Sequence, residues 1–207
     1  MFENREEAAR KLTLKILPKV KDKNALIIAL PRGAVVMGKI IADYLFLPFD
    51  ILIVRKIGAP FNPELAIGAL TEKNVVFWNE KIIKELNLSK KELEELRKKK
   101  NKEKNELEKI FRKDKKRLNP KGKTVVLIDD GVATGATVMA ANKYFKKEKA
   151  KKIILATPVI SDETFKELKK SFDSIITLKK SSDFYAVGQF YKYFPQVTNK
   201  EVVKLLV

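Results

Sequence analysis

The chain has 207 residues and a formal net charge of +18 from 44 basic and 26 acidic residues, with 45% apolar residues, no cysteine and no histidine. Disulfides, thiolate nucleophiles and Cys-based zinc sites are therefore excluded, as are Ser-His-Asp hydrolysis, His-Glu-x-x-His zinc sites and histidine general bases. Carboxylates, lysines, hydroxyls, backbone amides and a hard cation remain to do any chemistry.

The length suits one moderately large domain, or a domain with an insertion. The positive charge attracts polyanions, nucleic acid among them, although lysines spread along helices and turns also make an ordinary solvated surface. The first residues are charged and lack an apolar signal core, and the most hydrophobic region, residues 44–54, is interrupted by Pro48 and Asp50. It falls far short of the ~20 residues a spanning helix needs, so a soluble cytoplasmic protein is expected.

Residues 4–17 are predicted to be helical, with Asn4 as cap, Glu6 and Glu7 in the first turn, and Leu12, Ile16 and Leu17 as an apolar stripe. Residues 25–30 read as a buried strand, Pro31-Arg32-Gly33 as the turn at its end and residues 34–45 as the next helix. The run from Gly33 to Ile40 is one residue away from a nucleotide P-loop, but Ile40 replaces the magnesium-binding hydroxyl and Val35-Val36-Met37 belongs in a packed helix. Residues 31–33 instead present backbone amides and a guanidinium, which suit either pyrophosphate oxygens or a plain tight turn.

Residues 48–54 read as a third buried strand, with Arg55 and Lys56 at its carboxyl end, where open α/β sheets bind ligands. A hairpin is expected from residues 62–70 and 74–78, with Glu64 either pointing into a site or capping the turn. Residues 79–118 read as a basic helical insertion opened by a Ser89–Glu92 capping box. Leu93, Leu96, Leu107 and Ile110 share a heptad frame, but residues 97–106 contain nothing apolar and are not expected in a core. A continuous helix over residues 90–117 would be about 42 Å long at ~1.5 Å per residue, so the arm should protrude or break near Asn101 or Asn105.

Residues 123–138, KTVVLIDDGVATGATV, form the most informative stretch. Residues 124–128 make a β-branched, doubly buried strand; Asp129 and Asp130 stand at its end; residues 131–137 are small or hydroxylic; and a helix starts at about residue 135. That order places backbone N–H groups and the positive end of a helix dipole around one point, as phosphate binding requires. The adjacent acids suit sugar hydroxyls or a magnesium ion, both of which want oxygen acceptors. A strand over residues 152–157 closed by Pro158, a helix over 161–170 and a last strand over 174–178 follow. Strands alternating with helices argue for a parallel sheet with right-handed crossovers. The tail is dense in aromatics; Phe184, Tyr185 and Tyr191 are candidates to stack on a planar molecule or simply to pack, and residues 200–207 suit a closing helix.

Residues 125–138 resemble the phosphoribosyl-pyrophosphate signature of type I phosphoribosyltransferases: an apolar strand, Asp-Asp, then a small-residue loop ending in Thr-Gly-x-Thr. Pro31-Arg32-Gly33 looks like the pyrophosphate loop of the same family. The segments Arg-Lys-Ile-Gly-Ala-Pro and Asn-Pro-Glu-Leu-Ala-Ile-Gly are similar to those of bacterial and archaeal phosphoribosyltransferase-domain proteins.

The resemblance implies a doubly wound, mostly parallel α/β sheet flanked by helices, with residues 79–118 as a lid or dimer arm and residues 180–207 as a C-terminal hood. It implies transfer of phosphoribose from magnesium-bound phosphoribosyl pyrophosphate to a nitrogen acceptor such as a nucleobase, with pyrophosphate released, in a protein commonly dimeric. By analogy Asp129 and Asp130 hold the ribose hydroxyls and Mg2+, directly or through water. Gly131, Val132, Ala133, Thr134, Gly135, Ala136 and Thr137 cradle the 5′-phosphate, and Arg32, Gly33 and Lys56 take the pyrophosphate. Some proteins of this fold instead sense the donor and bind nucleic acid through a basic face, an alternative the charge allows.

Overall fold

A computed structural model describes residues 1–20, 24–113 and 115–206. Its elements in chain order are α1 (Arg5–Ile16), β1 (Ala25–Ala29), α2 (Gly33–Leu45), β2 (Phe49–Ile51), β3 (Val54–Ala59), β4 (Asn62–Thr71), β5 (Val76–Trp78), α3 (Glu80–Glu85) and α4 (Lys90–Arg112). These are followed by β6 (Thr124–Ile128), α5 (Ala136–Lys147), β7 (Lys152–Ser161), α6 (Asp162–Leu168), β8 (Ser174–Ser181) and α7 (Asn199–Leu205). Five strands form a parallel sheet in the order β2-β1-β6-β7-β8, and β3-β4-β5 form a separate antiparallel sheet.

The centre of the parallel sheet is buried on both faces, because β1 is apolar throughout and β6 is apolar from Val125 to Ile128. Ile27 of β1, Val126 and Ile128 of β6 and Ile154 of β7 pack with Ala8, Leu12, Ile16, Met37 and Ile41 of α1 and α2. Their neighbours Leu26, Ile28, Val125, Leu127 and Leu155 turn to the opposite face, against Val138, Ala141, Phe145 and Leu168 of α5 and α6. Each fully buried Leu or Ile contributes about 1.5–3 kcal/mol relative to exposure. The expected caps are in place: the Asn4 side chain accepts from the Glu7 N–H, and Ser89 and Glu92 bond reciprocally.

Three local readings are corrected. Residues 48–54 are not one strand: β2 ends at Ile51, and β3 begins at Val54 in the other sheet. Arg55 and Lys56 therefore lie within an antiparallel strand rather than beyond a parallel one. The cause is Asp50, whose Oδ1 accepts from Arg112 Nη1 at 2.5 Å and Oδ2 from the Leu118 N–H at 3.0 Å, fastening the crossing between sheets.

Pro158 does not close β7, which runs on to Ser161. Pairing with β6 stops at Ala156, so the missing Pro158 N–H leaves no ladder bond to β6 unmade.

Helix α4 runs unbroken through Asn101 and Asn105 to Arg112 and packs on β3, β4 and α7. Leu93 and Leu96 cover the small core of Ile57, Ile67, Leu70 and Ile83, while Leu107 and Phe111 join the main core. Lys104, within the stretch that looked wholly solvated, is buried, with Nζ 3.2 Å from Glu108 Oε1 and 3.3 Å from Asn74 Oδ1. The C-terminal turn of α4 is bolted down by Arg112, which bonds Asp50, Ile51 O and the fully buried carboxylate of Glu72.

Candidate active site

The loop between β6 and α5 stands at the carboxyl end of the sheet's central strand. It is held from beneath: the Val132 N–H donates to Val159 O at 2.9 Å, the Ser161 N–H donates to Val132 O at 3.0 Å, and Thr164 Oγ1 and Ser161 Oγ donate to Ala133 O. Gly135 has φ +72°, the left-handed region that glycine adopts without a Cβ penalty, and this bend starts α5. Among the described residues, the N–H groups of Ala133, Thr134, Gly135, Ala136 and Thr137 donate to no loop, turn or side-chain acceptor. Ala136 and Thr137 open the helix, where no intrahelical acceptor exists, so unpaired donors coincide with the positive end of the α5 dipole. This arrangement suits an oxyanion.

Asp129 and Asp130 follow directly from the end of β6. Asp129 Oδ1 accepts from the Asp130 N–H at 2.9 Å. Asp130 Oδ2 accepts from Arg5 Nε at 2.8 Å, its side chain is only 16% exposed, and its carbonyl accepts from Tyr191 Oη at 2.6 Å. Burial holds the Asp129 carboxyl well above the usual carboxylate range, the neighbouring Asp130 charge raises it further, and the N–H bond opposes them in part. Burial raises Asp130 too, with the Arg5 charge pulling against it.

Arg5 had no local signal marking it as a site residue. It reaches Asp130 because the N-terminal segment pairs with the tail: the Phe2 N–H donates to Phe190 O at 2.7 Å and the Lys192 N–H to Phe2 O at 2.8 Å. Its guanidinium lies 3.6 Å from the centroid of Phe194 and donates to Pro195 O at 2.8 Å. Gly33 is pressed against the same pair, and a Cβ there would fall 1.9 Å from Asp130 Oδ2 and 2.8 Å from an Arg5 nitrogen. Only glycine permits that approach. The structure thus brings Gly33 to the acids, leaves Arg32 exposed beside it, and spends part of Asp130 on an internal ion pair.

A cleft of about 1000 Å³ opens over the loop. Residues 131–137, Ser161, Lys56 and Glu64 of the β3–β4 hairpin, Asn79, residues of α3, and Phe184 and Tyr185 of the tail line it. The acids, Arg32 and Gly33 are not among its lining residues, and no residue of α4 is. Lys56 Nζ is 3.0 Å from Glu64 Oε2, so the two expected contacts of the hairpin neutralise one another. Of the tail aromatics, Tyr191 is buried and Phe184 leans on Phe190 at 4.9 Å, whereas Tyr185 is 88% exposed at the cleft wall.

Residues 2–194 match the phosphoribosyl transferase domain family, and the chain belongs to it. It is 34% identical over 206 residues to a Mycobacterium tuberculosis protein whose name is "Putative phosphoribosyl transferase". That alignment takes in 100% of this chain but 46% of the relative, so the chain spans about half the relative's length. The crystal structure of TT1426 from Thermus thermophilus superposes with a TM-score of 0.84 at 32% identity, covering 99% of this chain and 97% of that one. A hypoxanthine-guanine phosphoribosyltransferase from Bacillus anthracis matches with a TM-score of 0.53 at 13% identity, covering 93% and 90% of the two chains, a likeness of fold alone. The fold is that of the type I phosphoribosyltransferases. Among the described residues no helix is long and apolar enough to cross a membrane.

Proposed function

We propose that the chain transfers phosphoribose from phosphoribosyl pyrophosphate to a nitrogen acceptor of the nucleobase type, releasing pyrophosphate. One observation carries this reading: the acid pair is followed, after Gly131 and Val132, by five backbone donors, Ala133 to Thr137, that have no acceptor among the described residues and lead into α5. Those amides, with the Thr134 and Thr137 hydroxyls, would receive the 5′-phosphate, and Asp129 and Asp130 the ribose hydroxyls. Arg32 and the amides beside Gly33 would meet the pyrophosphate, with Lys56 released from Glu64 to join them. The reaction asks mainly for positioning and charge stabilisation, which suits a chain without histidine.

A magnesium ion fits as a companion of the donor. Among the described residues no three acidic side chains converge as a metal site, and magnesium is commonly held by one or two carboxylates plus substrate phosphates. Asp129 and Asp130 would supply that share; the ion, when bound, neutralises charge on the leaving pyrophosphate. Of the tail aromatics that line the cleft, Tyr185 is the exposed one and would stack on a planar acceptor. Incubation with magnesium, donor and a panel of nucleobases should release pyrophosphate with at least one base, and no release with any purine or pyrimidine would refute the reading.

A second reading, donor-modulated binding of nucleic acid, has one observation in its favour. Lys121, Lys146, Lys147, Lys149, Lys151 and Lys152 are exposed at the end of the sheet where β6 and β7 begin, and none is ion-paired among the described residues. Steeply salt-dependent binding of nucleic acid that responds to the donor would support it.

A further inference from the structure

Each acid of the pair has one oxygen committed and one free. Asp129 Oδ1 is taken by the Asp130 N–H at 2.9 Å and Asp130 Oδ2 by Arg5 Nε at 2.8 Å. Among the described residues nothing donates to Asp129 Oδ2 or Asp130 Oδ1. Arg5 itself has no freedom to leave. It is buried, stacked at 3.6 Å on Phe194, bonded at 2.8 Å to Pro195 O and confined by Gly33. The main chain of Asp130 is fixed as well, by the Tyr191 hydroxyl at 2.6 Å.

We infer that Arg5 is a positioning residue that holds the Asp130 carboxylate in one rotamer, so that the pair presents two separate oxygens to two adjacent ring hydroxyls. This rests on the proposed reading of the site as a phosphoribose site. Vicinal hydroxyls are two donors at fixed spacing, and they need two acceptors whose spacing is equally fixed. A loose Asp130 would lose that spacing, and without the paired guanidinium of Arg5 its charge would oppose that of Asp129 uncompensated. A lysine in place of Arg5 keeps the charge but not the planar fork that serves Asp130 and Pro195 O together.

The test is a double-mutant cycle on donor affinity, measured by calorimetry with magnesium and phosphoribosyl pyrophosphate on the full chain. Melting temperatures are recorded for each variant. Arg5→Met and Asp130→Asn should each weaken binding about tenfold or more, and the double variant should be no weaker than the worse single one, because both remove one arrangement. Arg5→Lys should recover part of the loss.

Fully additive losses, or unchanged affinity in Arg5→Met while Asp129→Asn abolishes binding, would overturn the inference and leave Arg5 as a link between α1 and the tail. If Arg5→Met fails to fold, Arg5→Lys decides: its loss must vanish in the Asp130→Asn background. Intact donor affinity in Asp129→Asn would instead refute the phosphoribose reading itself, and the inference with it.

Discussion

Replacing Arg112 by methionine removes the guanidinium that closes α4 onto the two sheets while keeping most of its aliphatic stem. In the native chain Arg112 Nη2 is 2.9 Å from Oε1 of Glu72, a carboxylate with 0% exposure, and Nη1 is 2.5 Å from Asp50 Oδ1. The variant leaves Ile51 O without this donor, Asp50 without this cation and Glu72 with Arg117 as its remaining ion-pair partner. A unit charge pair at ~4 Å with an effective dielectric of about 20 interacts by about 4 kcal/mol, and breaking a buried pair by removing one partner costs about 3–5 kcal/mol.

At about 2–4 °C per kcal/mol for a chain of this size, the melting temperature should fall by roughly 6–20 °C. Urea unfolding followed by circular dichroism measures the free energy directly. Arg112→Lys should lose less, because one ammonium can still serve Glu72 or Asp50. A loss below about 1 kcal/mol for Arg112→Met, as for an exposed pair, would refute the reasoning that this network is dry and that it fastens α4.

Three further outcomes are expected. Gly135→Ala places a Cβ at φ +72° and 3.0 Å from Thr164 Cγ2, so stability should fall by about 1–2 kcal/mol in thermal melts. Tyr185→Ala should leave stability within about 0.5 kcal/mol but raise the acceptor KM, since the side chain stands in the cleft and supports nothing. Asp129→Asn should raise the melting temperature at neutral pH. The fold raises the Asp129 pKa above 3.8, so its ionised form subtracts from stability as pH rises from that value through the folded pKa. The gain should therefore be present at pH 7 and shrink in acid; a variant less stable than the native chain at pH 7 would contradict it.

Much of the parallel sheet was legible in the sequence because β1 and β6 are short apolar runs stopped by Pro31-Arg32-Gly33 and by Asp129-Asp130, and because Asn4, Ser89 and Ser161 announce helix starts locally. The order of strand, acids, small loop and helix start was legible because the four are contiguous. What sequence reading missed depends on partners far along the chain. Arg5 meets Asp130 across 125 positions, and its neighbours Glu6 and Glu7 belong to an ordinary first turn.

Lys104 looked solvated because Asn74, 30 positions away, comes within reach only when α4 lies against the antiparallel sheet, and an i,i+4 neighbour such as Glu108 does not by itself announce burial. The switch of sheets after Ile51 left a faint trace, a lone Asp50 inside an apolar run. That residue alone could not indicate Arg112, 62 positions away.

Titrating magnesium-bound phosphoribosyl pyrophosphate into the native chain and into the Asp129→Asn, Asp130→Asn double variant tests the central claim most directly. Saturable binding by the native chain, lost in a variant that still melts cooperatively, is the predicted result. Equal affinity in the two proteins would show that the acid pair and the amides beyond it are not where the sugar phosphate sits.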